Sequence, residues 1–548
     1  MEGSVQKPSY FPQYVVALIA TMAAFSIGTS FGWSAPAEVK LVDHNEGRFP
    51  IGADEFAWTV AVMPLGGAII SIPVGLLVHV FGARRTLLIF VTPCAVGWAF
   101  ISWAVNGGML LFGRLLTGFS VGAFAMAVPI YLAEMASKEI RGTVGSFFQQ
   151  MINLGILYAY GLAALLNTFQ LSVLCGLVPV VFGVLFFFMP DSPTHLVLRI
   201  NERKAVEAIK WLRGPKFDAT KEVNEIRALQ QHVTAAAEQQ RNQSEELHPS
   251  SSDHQCQLPF DKRSSGCCCC ESFTHPATIR ALAIMLGLMF LLQMSGFSSL
   301  LFYSTSIFGE VQVIIDPELA TIIAGAMQVP GTLMSSLVVD RVGRRMLLLA
   351  SGSIMFVSFL VLGVYLLLLS RDQVDELGWL PLTTLSLYVT FYSLGFGPIP
   401  WLMLGELFSP DVKGPASSLA NMTNFAMSFA MARLFPELRD AVGIGTTLII
   451  FAGCCLLAVV FVAFLVPETN GKSLNEIQRM LAGTRSYYFK TLLTRTINWS
   501  LDNQPGISWA AIGRCMSEMK DYEIAFGRCG DAKMLRIPNV SWSPQNIL

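Results

Sequence analysis

The stretch Phe56–Ala83 has the sequence FAWTVAVMPLGGAIISIPVGLLVHVFGA and contains no Asp, Glu, Lys or Arg. Roughly 20 such residues in a helix cross the hydrocarbon core of a bilayer. The whole chain of 548 residues is 53% hydrophobic and 14% charged, whereas soluble domains carry about 25% charged residues. This composition predicts a polytopic membrane protein rather than a soluble enzyme. The net charge of −1 provides no basic field, so we expect no nucleic-acid partner.

Similar uncharged runs fall into two groups of six, separated by a polar region at about residues 191–280. The first group comprises Phe11–Ala37, Phe56–Ala83, Thr86–Gly113, Leu115–Ala133 and the two parts of Gly142–Pro190. The second group comprises Ala281–Gly309, Leu319–Val339, Met346–Ser370, Leu377–Gly405, Gly414–Ala432 and Ala441–Pro467. This pattern predicts an all-α protein with twelve transmembrane helices in two six-helix halves.

The predicted domains follow from these runs. They are an N-terminal bundle at 1–190, a cytoplasmic linker at 191–280, a C-terminal bundle at 281–467 and a cytoplasmic tail at 468–548. Within the linker, Asn201–Gly214 has the apolar spacing of a short amphipathic helix. Basic residues occur in alternate short loops, which places both termini and the linker in the cytoplasm.

Three motifs recur in both halves. Gly82–Arg85 is echoed by Gly343–Arg345, and Pro190–Pro193 by Pro467–Thr469. Glu134 and Arg141 have the same spacing as Glu406 and Lys413.

Repeated halves are a common basis for alternating access. Charges at helix ends can pair in one conformation and separate in the other; the alternative is that the basic residues are only positive-inside anchors. The candidate cytoplasmic gate comprises Arg84, Arg85, Arg114, Glu134, Arg141, Asp340, Arg344, Arg345, Glu406 and Lys413.

An ordered set of motifs resembles the sugar porter family of the major facilitator superfamily over roughly residues 10–480. The motifs are Gly113–Gly118, Pro129–Glu134 with Arg141-Gly142, Pro190–Pro193, Asp340–Arg345, Gly397–Trp401 and Pro467–Ser473. The run Ser393–Glu406 looks most like insect facilitated trehalose transporter-like proteins and facilitative glucose transporter relatives. The resemblance implies the major facilitator fold and a sugar site between the halves.

The resemblance also implies individual site residues. The substrate-binding candidates are Gln149, Gln293, Ser298, Gln328, Trp401 and Asn424, and the outer-gate candidates are Phe302 and Tyr303. Amides suit this role because sugar hydroxyls both donate and accept hydrogen bonds. A Trp ring can lie against the apolar face of a pyranose. The alternatives are that the amides join helices to each other and that Trp401 packs in the core.

The chain departs from the family pattern at several positions. Leu292 replaces a Gln, Ser298 an Asn and Ser393 a Glu, while Lys413 replaces an Arg. His79 occupies the place that matches Asp340. The loss of amide groups at the seventh span favours a different polyol or a disaccharide, or weaker binding. Lys lacks the bidentate fork of Arg, so we expect a looser gate.

The first span indicates the energy source. Proton-coupled sugar porters carry an Asp where this chain has Ser34, and no Asp or Glu lies in Phe11–Ala37. A buried carboxylate is a simple way to couple protons to conformation. The absence of such an acid predicts transport of the solute down its concentration gradient. We also expect no cofactor.

Four consecutive cysteines precede the seventh span: Cys267, Cys268, Cys269 and Cys270. Juxtamembrane cysteines are candidates for S-palmitoylation; the alternative is unmodified low-complexity sequence. Adjacent cysteines cannot easily close one tetrahedral metal site, so we expect no metal.

The sequence therefore predicts a monomeric facilitative transporter of a hexose or trehalose. Its partners are a small sugar and the lipid bilayer, and its location is the plasma membrane or, alternatively, an intracellular vesicle membrane. Two other functions stay open: a non-transporting sugar sensor and a transporter of another small polar solute. An enzyme is not expected, because amides and hydroxyls do poor acid–base work.

Overall fold

The computed structural model describes residues 9–43, 49–137, 139–198, 202–214, 217–224, 226–228, 276–311, 313–370, 377–408, 410–472 and 474–482. The regular elements in these ranges are helices, and the residues up to Ala482 belong to one compact unit. Cys267–Cys270, most of the predicted linker and the tail beyond 482 lie outside the described residues. The predicted domain boundaries therefore stay predictions.

The first half contains six spans. The first is α1 (Phe11–Gly32), followed by α2 (Ser34–Glu38) and a π-helical turn at Val39–Asp43. The others are α3 (Ala53–Phe81), α4 (Ala83–Ser102), α5 (Gly107–Met135), α6 (Arg141–Ala163) and α7 (Thr168–Phe187). Two short helices follow, α8 (Pro193–Leu198) and α9 (Glu202–Arg213), and the second confirms the amphipathic helix predicted at Asn201–Gly214.

The second half repeats this order with two broken spans. They are α10 (Pro276–Met294) with α11 (Phe297–Glu310), and α14 (Trp379–Leu394) with α15 (Ile399–Leu407). The unbroken spans are α12 (Pro317–Val342), α13 (Arg344–Leu369), α16 (Pro410–Val442) and α17 (Ile444–Leu465). A last short helix is α18 (Leu474–Ala482), which packs against α10 and α15.

Ten of the helical spans among the described residues are long and apolar enough to cross a membrane. The remaining two, α6 and α16, are the fifth and eleventh in order and are more polar. They carry Gln149 and Asn153 in α6, and Asn421 and Asn424 in α16. These amides face the interior between the halves, so they lower the mean hydropathy of their helices without exposing polar groups to lipid. The predicted twelve spans in two sets of six are confirmed.

Both broken spans have a local cause. Gly296 has a φ of +87° between α10 and α11, a conformation that glycine adopts without strain. Between α14 and α15, Pro398 and Pro400 flank the start of the new helix, and proline cannot continue the hydrogen-bond pattern of the preceding one. Irregular backbone inside a membrane protein is tolerated where it lines a cavity.

The two halves meet mainly along two helix pairs, α3 with α16 and α6 with α12, and α2 adds contacts to α11. We call the end of the bundle that carries Arg84, Arg85, Arg344 and Arg345 the basic end. The other end is called the opposite end. Helices α3 and α12 run toward the basic end and α6 and α16 run away from it.

Small residues allow close helix packing within the first half. A Cβ added at Gly155 of α6 would lie 3.0 Å from the Cα of Gly28 and from the N of Thr29, both in α1. The backbones of α1 and α6 approach this closely only because neither Gly28 nor Gly155 has a side chain.

We expect Gly155→Ala to lower the melting temperature of the purified protein, because the new methyl forces α1 and α6 apart at a cost of about 1–3 kcal/mol. Gly161→Ala is the matched control on the same helix, since a Cβ at Gly161 meets nothing within 4 Å. Equal melting temperatures for the two variants would contradict this packing.

Candidate functional site

A cavity lies between the halves, near the middle of the spans. The first half contributes Ile27, Phe31, Ala125, Phe148, Gln149, Ile152, Asn153 and Ile156 to its lining. The second half contributes Leu292, Gln293, Phe297, Ser298, Leu301, Phe302, Tyr392, Gly397, Trp401, Asn424, Phe425 and Ser428. Helices from both halves therefore form one site with amide, hydroxyl and aromatic groups on its surface.

Most of the predicted substrate-binding residues meet here. Five of them line the cavity: Gln149, Gln293, Ser298, Trp401 and Asn424. Phe302, a predicted outer-gate residue, lines it as well. Their roles in binding stay predictions, because the cavity shows position and not occupancy.

Two predicted residues do not line it. Gln328 is buried in α12, and its side-chain oxygen is buried without a hydrogen-bond partner in the described part of the chain. Tyr303 is also buried, and its hydroxyl donates to the carbonyl of Ala432 at 2.9 Å. Tyr303 therefore joins α11 to α16 beside the cavity.

The polar groups of the second half are paired with each other. The Nε2 of Gln293 donates to the Oδ1 of Asn424 at 2.8 Å. Ser298 donates to the Oε1 of Gln293 and lies 3.0 Å from the Oγ of Ser428. Ser428 was not predicted from the sequence. Its position one helical turn after Asn424 on α16 could have indicated it.

The first half contributes a different pair of amides. The Nε2 of Gln149 donates to the Oδ1 of Asn153 at 3.3 Å, and the Nδ2 of Asn153 donates to the Oγ1 of Thr332 at 2.6 Å. Asn153 was also not predicted. Its spacing from Gln149 places both on one face of α6.

Aromatic rings complete the wall next to the broken helices. Phe297 follows the break at Gly296 and stacks on Tyr392 with a centroid distance of 3.5 Å and an interplanar angle of 8°. Trp401 of α15 is half-buried at the cavity surface. The sequence indicated Trp401 but not the stacked pair.

The cavity is closed toward the opposite end. The rings of Phe31 and Phe302 meet across the halves at 5.8 Å. The hydroxyl of Tyr160 donates to the carbonyl of Leu301 at 2.8 Å.

An ion pair joins the halves at the opposite end itself. Arg433 contacts Asp54 at 2.9 Å. The structure is therefore in a state in which the two halves are in contact at this end.

At the basic end, the second half carries a connected ionic network. Arg344 contacts both Glu406 and Asp340 at 2.9 Å. Thr469 donates to Glu406 at 2.6 Å. Glu468 accepts from the backbone N–H groups of Arg344 and Arg345 at 3.0 Å, which satisfies donors at the start of α13.

The first half repeats only part of this network. Arg84 contacts Asp191 at 3.2 Å and donates to the carbonyl of Phe187, as Arg345 donates to the carbonyl of Ala463. Arg84 is thus the counterpart of Arg345, and Ala83 stands where the second half has Arg344.

Glu134 is the counterpart of Glu406, because each is the acid of the repeated Glu-to-basic spacing. Within the described residues Glu134 has no ion pair, and its Oε2 is buried without a hydrogen-bond partner. The first-half network therefore lacks an equivalent of Arg344, the arginine that holds Glu406 in the second half.

Three further gate candidates are exposed at the basic end: Arg85, Arg141 and Lys413. Within the described residues none of them forms an ion pair, and Lys413 is not joined to Glu406.

The placement of Arg114 corrects its assignment to the cytoplasmic gate. It lies near the start of α5, about 30 Å along that helix from Glu134, because α5 runs from the opposite end to the basic end. Arg114 is fully buried and donates to the Oγ of Ser34 at 2.6 Å and to the carbonyl of Ser30 at 2.9 Å. Its guanidinium also lies 5.1 Å from the Trp33 ring centroid.

Among the described residues, no group of three or more His, Cys, Asp or Glu side chains is placed to hold a metal ion.

The family model described as "Sugar (and other) transporter" matches residues 14–481. A facilitated trehalose transporter of Aedes aegypti is 34% identical over 472 residues, which cover 86% of this chain and 55% of that protein. A facilitated trehalose transporter of Culex quinquefasciatus is 33% identical over 474 residues, covering 86% of both chains. This chain thus spans about half the length of the Aedes protein and most of the Culex protein.

Among solved structures, the proton:xylose symporter XylE of the major facilitator superfamily, bound to 6-bromo-6-deoxy-D-glucose, has a TM-score of 0.67 at 21% identity. The alignment covers 86% of this chain and 99% of that one. The likeness shows the twelve-helix fold of that superfamily and confirms the predicted fold class.

We expect Glu406→Gln to lower the melting temperature more than Glu134→Gln. Glu406 loses charge-assisted bonds to Arg344, which are worth about 1.5–3 kcal/mol, whereas Glu134 has no cationic partner to lose among the described residues. Thermal unfolding of both purified variants measures the difference. A larger loss in Glu134→Gln would contradict the asymmetry between the two networks.

Proposed function

Because this chain belongs to the family of sugar (and other) transporters, we propose that it carries a sugar down its concentration gradient across a membrane. It is a transporter and not an enzyme. The observation that supports this most strongly is the cavity between the two halves, where amides from both halves and a Trp share one surface.

The chemistry of the cavity fits a sugar of one or two rings, a hexose or trehalose. Gln149, Gln293 and Asn424 offer both donors and acceptors to hydroxyl groups. Trp401 and the Phe297–Tyr392 stack offer flat apolar surfaces for the C–H faces of a pyranose. Trehalose is the sugar named for the mosquito relatives, so it is the first disaccharide to test.

The transport cycle follows from the two ends of the bundle. With the opposite end closed by Phe31–Phe302 and Arg433–Asp54, sugar exchanges with the basic end. Rocking of the halves separates these contacts and brings the basic ends together. In that state Arg141 and Lys413, which are exposed here, become available to acids such as Glu134 and Glu406.

No proton is coupled to this movement. Ser34 accepts from Arg114 at 2.6 Å, so the buried position that could hold a titrating acid holds a hydroxyl instead. Sugar uptake against its gradient, driven by a proton gradient, would contradict uniport.

The basic end faces the cytoplasm, because Lys and Arg are concentrated in the loops of the cytoplasmic side. Both termini then lie in the cytoplasm. The protein acts as a monomer in the plasma membrane, with an intracellular vesicle membrane as the alternative.

We expect saturable, downhill uptake of at least one of glucose, fructose, trehalose and myo-inositol in proteoliposomes. Trp401→Ala should lower kcat/KM for that solute about 3- to 10-fold, since an aromatic contact is worth about 0.5–1.5 kcal/mol. Trp379→Ala is the matched control, because Trp379 is 54% exposed at the opposite end.

Binding without flux would favour the sensor over the transporter. Uptake of myo-inositol alone would favour the polyol transporter. If Trp401→Ala and Trp379→Ala both left uptake unchanged, the proposed sugar site would be wrong.

A further inference from the structure

Two buried asparagines form hydrogen bonds between the halves over similar distances, each to one hydroxyl and one backbone carbonyl of the other half. The Nδ2 of Asn153 donates to the Oγ1 of Thr332 at 2.6 Å and to the carbonyl of Gln328 at 3.4 Å. The Nδ2 of Asn421 donates to the Oγ of Ser71 at 2.9 Å and to the carbonyl of Gly122 at 3.4 Å. Both asparagines are 2% exposed.

These two bridges occupy related places in the repeated fold. In each, the amide comes from the fifth span of one half and the hydroxyl from the second span of the other. Each hydroxyl also donates to the carbonyl four residues earlier, from Ser71 to Gly67 at 2.7 Å and from Thr332 to Gln328 at 3.1 Å. They form a matched pair of contacts on either side of the cavity.

Only one member of the pair reaches the cavity. Asn153 lines it, and its Oδ1 accepts from Gln149. Asn421 does not line it, and its Oδ1 is buried without a partner in the described part of the chain. A solute in the cavity can therefore act on the first bridge and not on the second.

Among the amides of the cavity wall, Gln149 is the one whose side chain is bonded to Asn153. Gln293 already uses both ends of its amide, toward Asn424 and Ser298. Leu292 offers no hydrogen bond. Gln149 is half-buried, and its Oε1 has no protein partner among the described residues. Its bond to Asn153 at 3.3 Å is long for a hydrogen bond.

We propose that Asn153 is a positioning residue of the sugar site, which transmits occupancy of Gln149 to Thr332 in the other half. This rests on the proposed function. A sugar hydroxyl bound to Gln149 fixes that amide, which holds the Oδ1 of Asn153 toward the cavity and its Nδ2 toward Thr332. Sugar binding thereby strengthens the contact between α6 and α12.

The test compares Asn153→Leu, Asn421→Leu and Thr332→Val in proteoliposomes, with the sugar that the wild type carries. Asn153→Leu should raise KM about five-fold, because Gln149 loses its orienting partner. Asn421→Leu removes an equivalent bridge away from the cavity, so it should change the maximal rate and leave KM within about two-fold. Thr332→Val should lower the maximal rate with little change in KM, because it leaves the Gln149–Asn153 bond intact.

Sugar-induced stabilisation of the purified protein provides a second readout. At a sugar concentration near the wild-type KM, the rise in melting temperature should be clearly smaller in Asn153→Leu and unchanged in Asn421→Leu. Asn153→Gln retains an amide, and its KM should fall between those of the wild type and Asn153→Leu. If Asn153→Leu does not fold, the KM of Asn153→Gln is compared with that of the wild type instead.

The measurements separate failure of the proposed function from failure of the proposed role of Asn153. If the wild type neither transports nor is stabilised by any sugar, the proposed function fails. If the wild type responds to sugar but Asn153→Leu has the same KM and the same stabilisation as Asn421→Leu, the role of Asn153 is wrong.

Discussion

The structure depends on one constraint: inside a bilayer, each buried polar group needs a partner supplied by the protein. The interior between the halves meets most of this need with neutral groups, although the Oε1 of Gln328 and the Oδ1 of Asn421 have no partner among the described residues. Gln293 pairs with Asn424, and Asn153 with Thr332. An amide of the cavity wall that keeps an atom unpaired among the described residues, such as the Oε1 of Gln149, can bind a sugar hydroxyl without breaking these pairs. In the proposed function, the polar interior that holds the helices together is also the binding surface.

The two halves share one arrangement of helices but differ in the polar and charged residues that these helices carry. Ala83 replaces the counterpart of Arg344, so Glu406 is held by an arginine and Glu134 is not. Likewise, Asn153 faces the cavity and Asn421 does not. The repeated fold supplies two related sets of contacts, and the two sets differ in which polar and charged residues they carry. In the account proposed above, the bridge between α6 and α12 responds to the solute, while the bridge between α3 and α16 maintains the packing between the halves.

Local pattern was enough to predict the spans, because each apolar run has to cross the same thickness of hydrocarbon. Five cavity residues came instead from the family resemblance, which carries the positions of the family's site onto this sequence. Local pattern failed where the answer depends on a partner from a distant segment. Asn153 shares a face of α6 with Gln149, but its bond to Thr332 is seen only once α12 lies opposite. The Phe297–Tyr392 stack depends on two helix breaks that meet. The assignment of Arg114 to the gate was wrong although the predicted spans already separated it from Glu134. Arg114 precedes the span Leu115–Ala133 and Glu134 follows it, so the two residues lie toward opposite ends of one helix.

The central claim is that a solute passes through one cavity that the halves expose in turn. It is tested most directly by sugar flux in proteoliposomes after Asp54→Cys and Arg433→Cys are joined by a reducible bifunctional thiol reagent. Asp54 and Arg433 contact each other across the halves at the closed end, and the wild type treated in the same way controls for its own cysteines. The account predicts that cross-linking abolishes flux and that reduction restores it. Undiminished flux through the cross-linked protein would contradict alternating access.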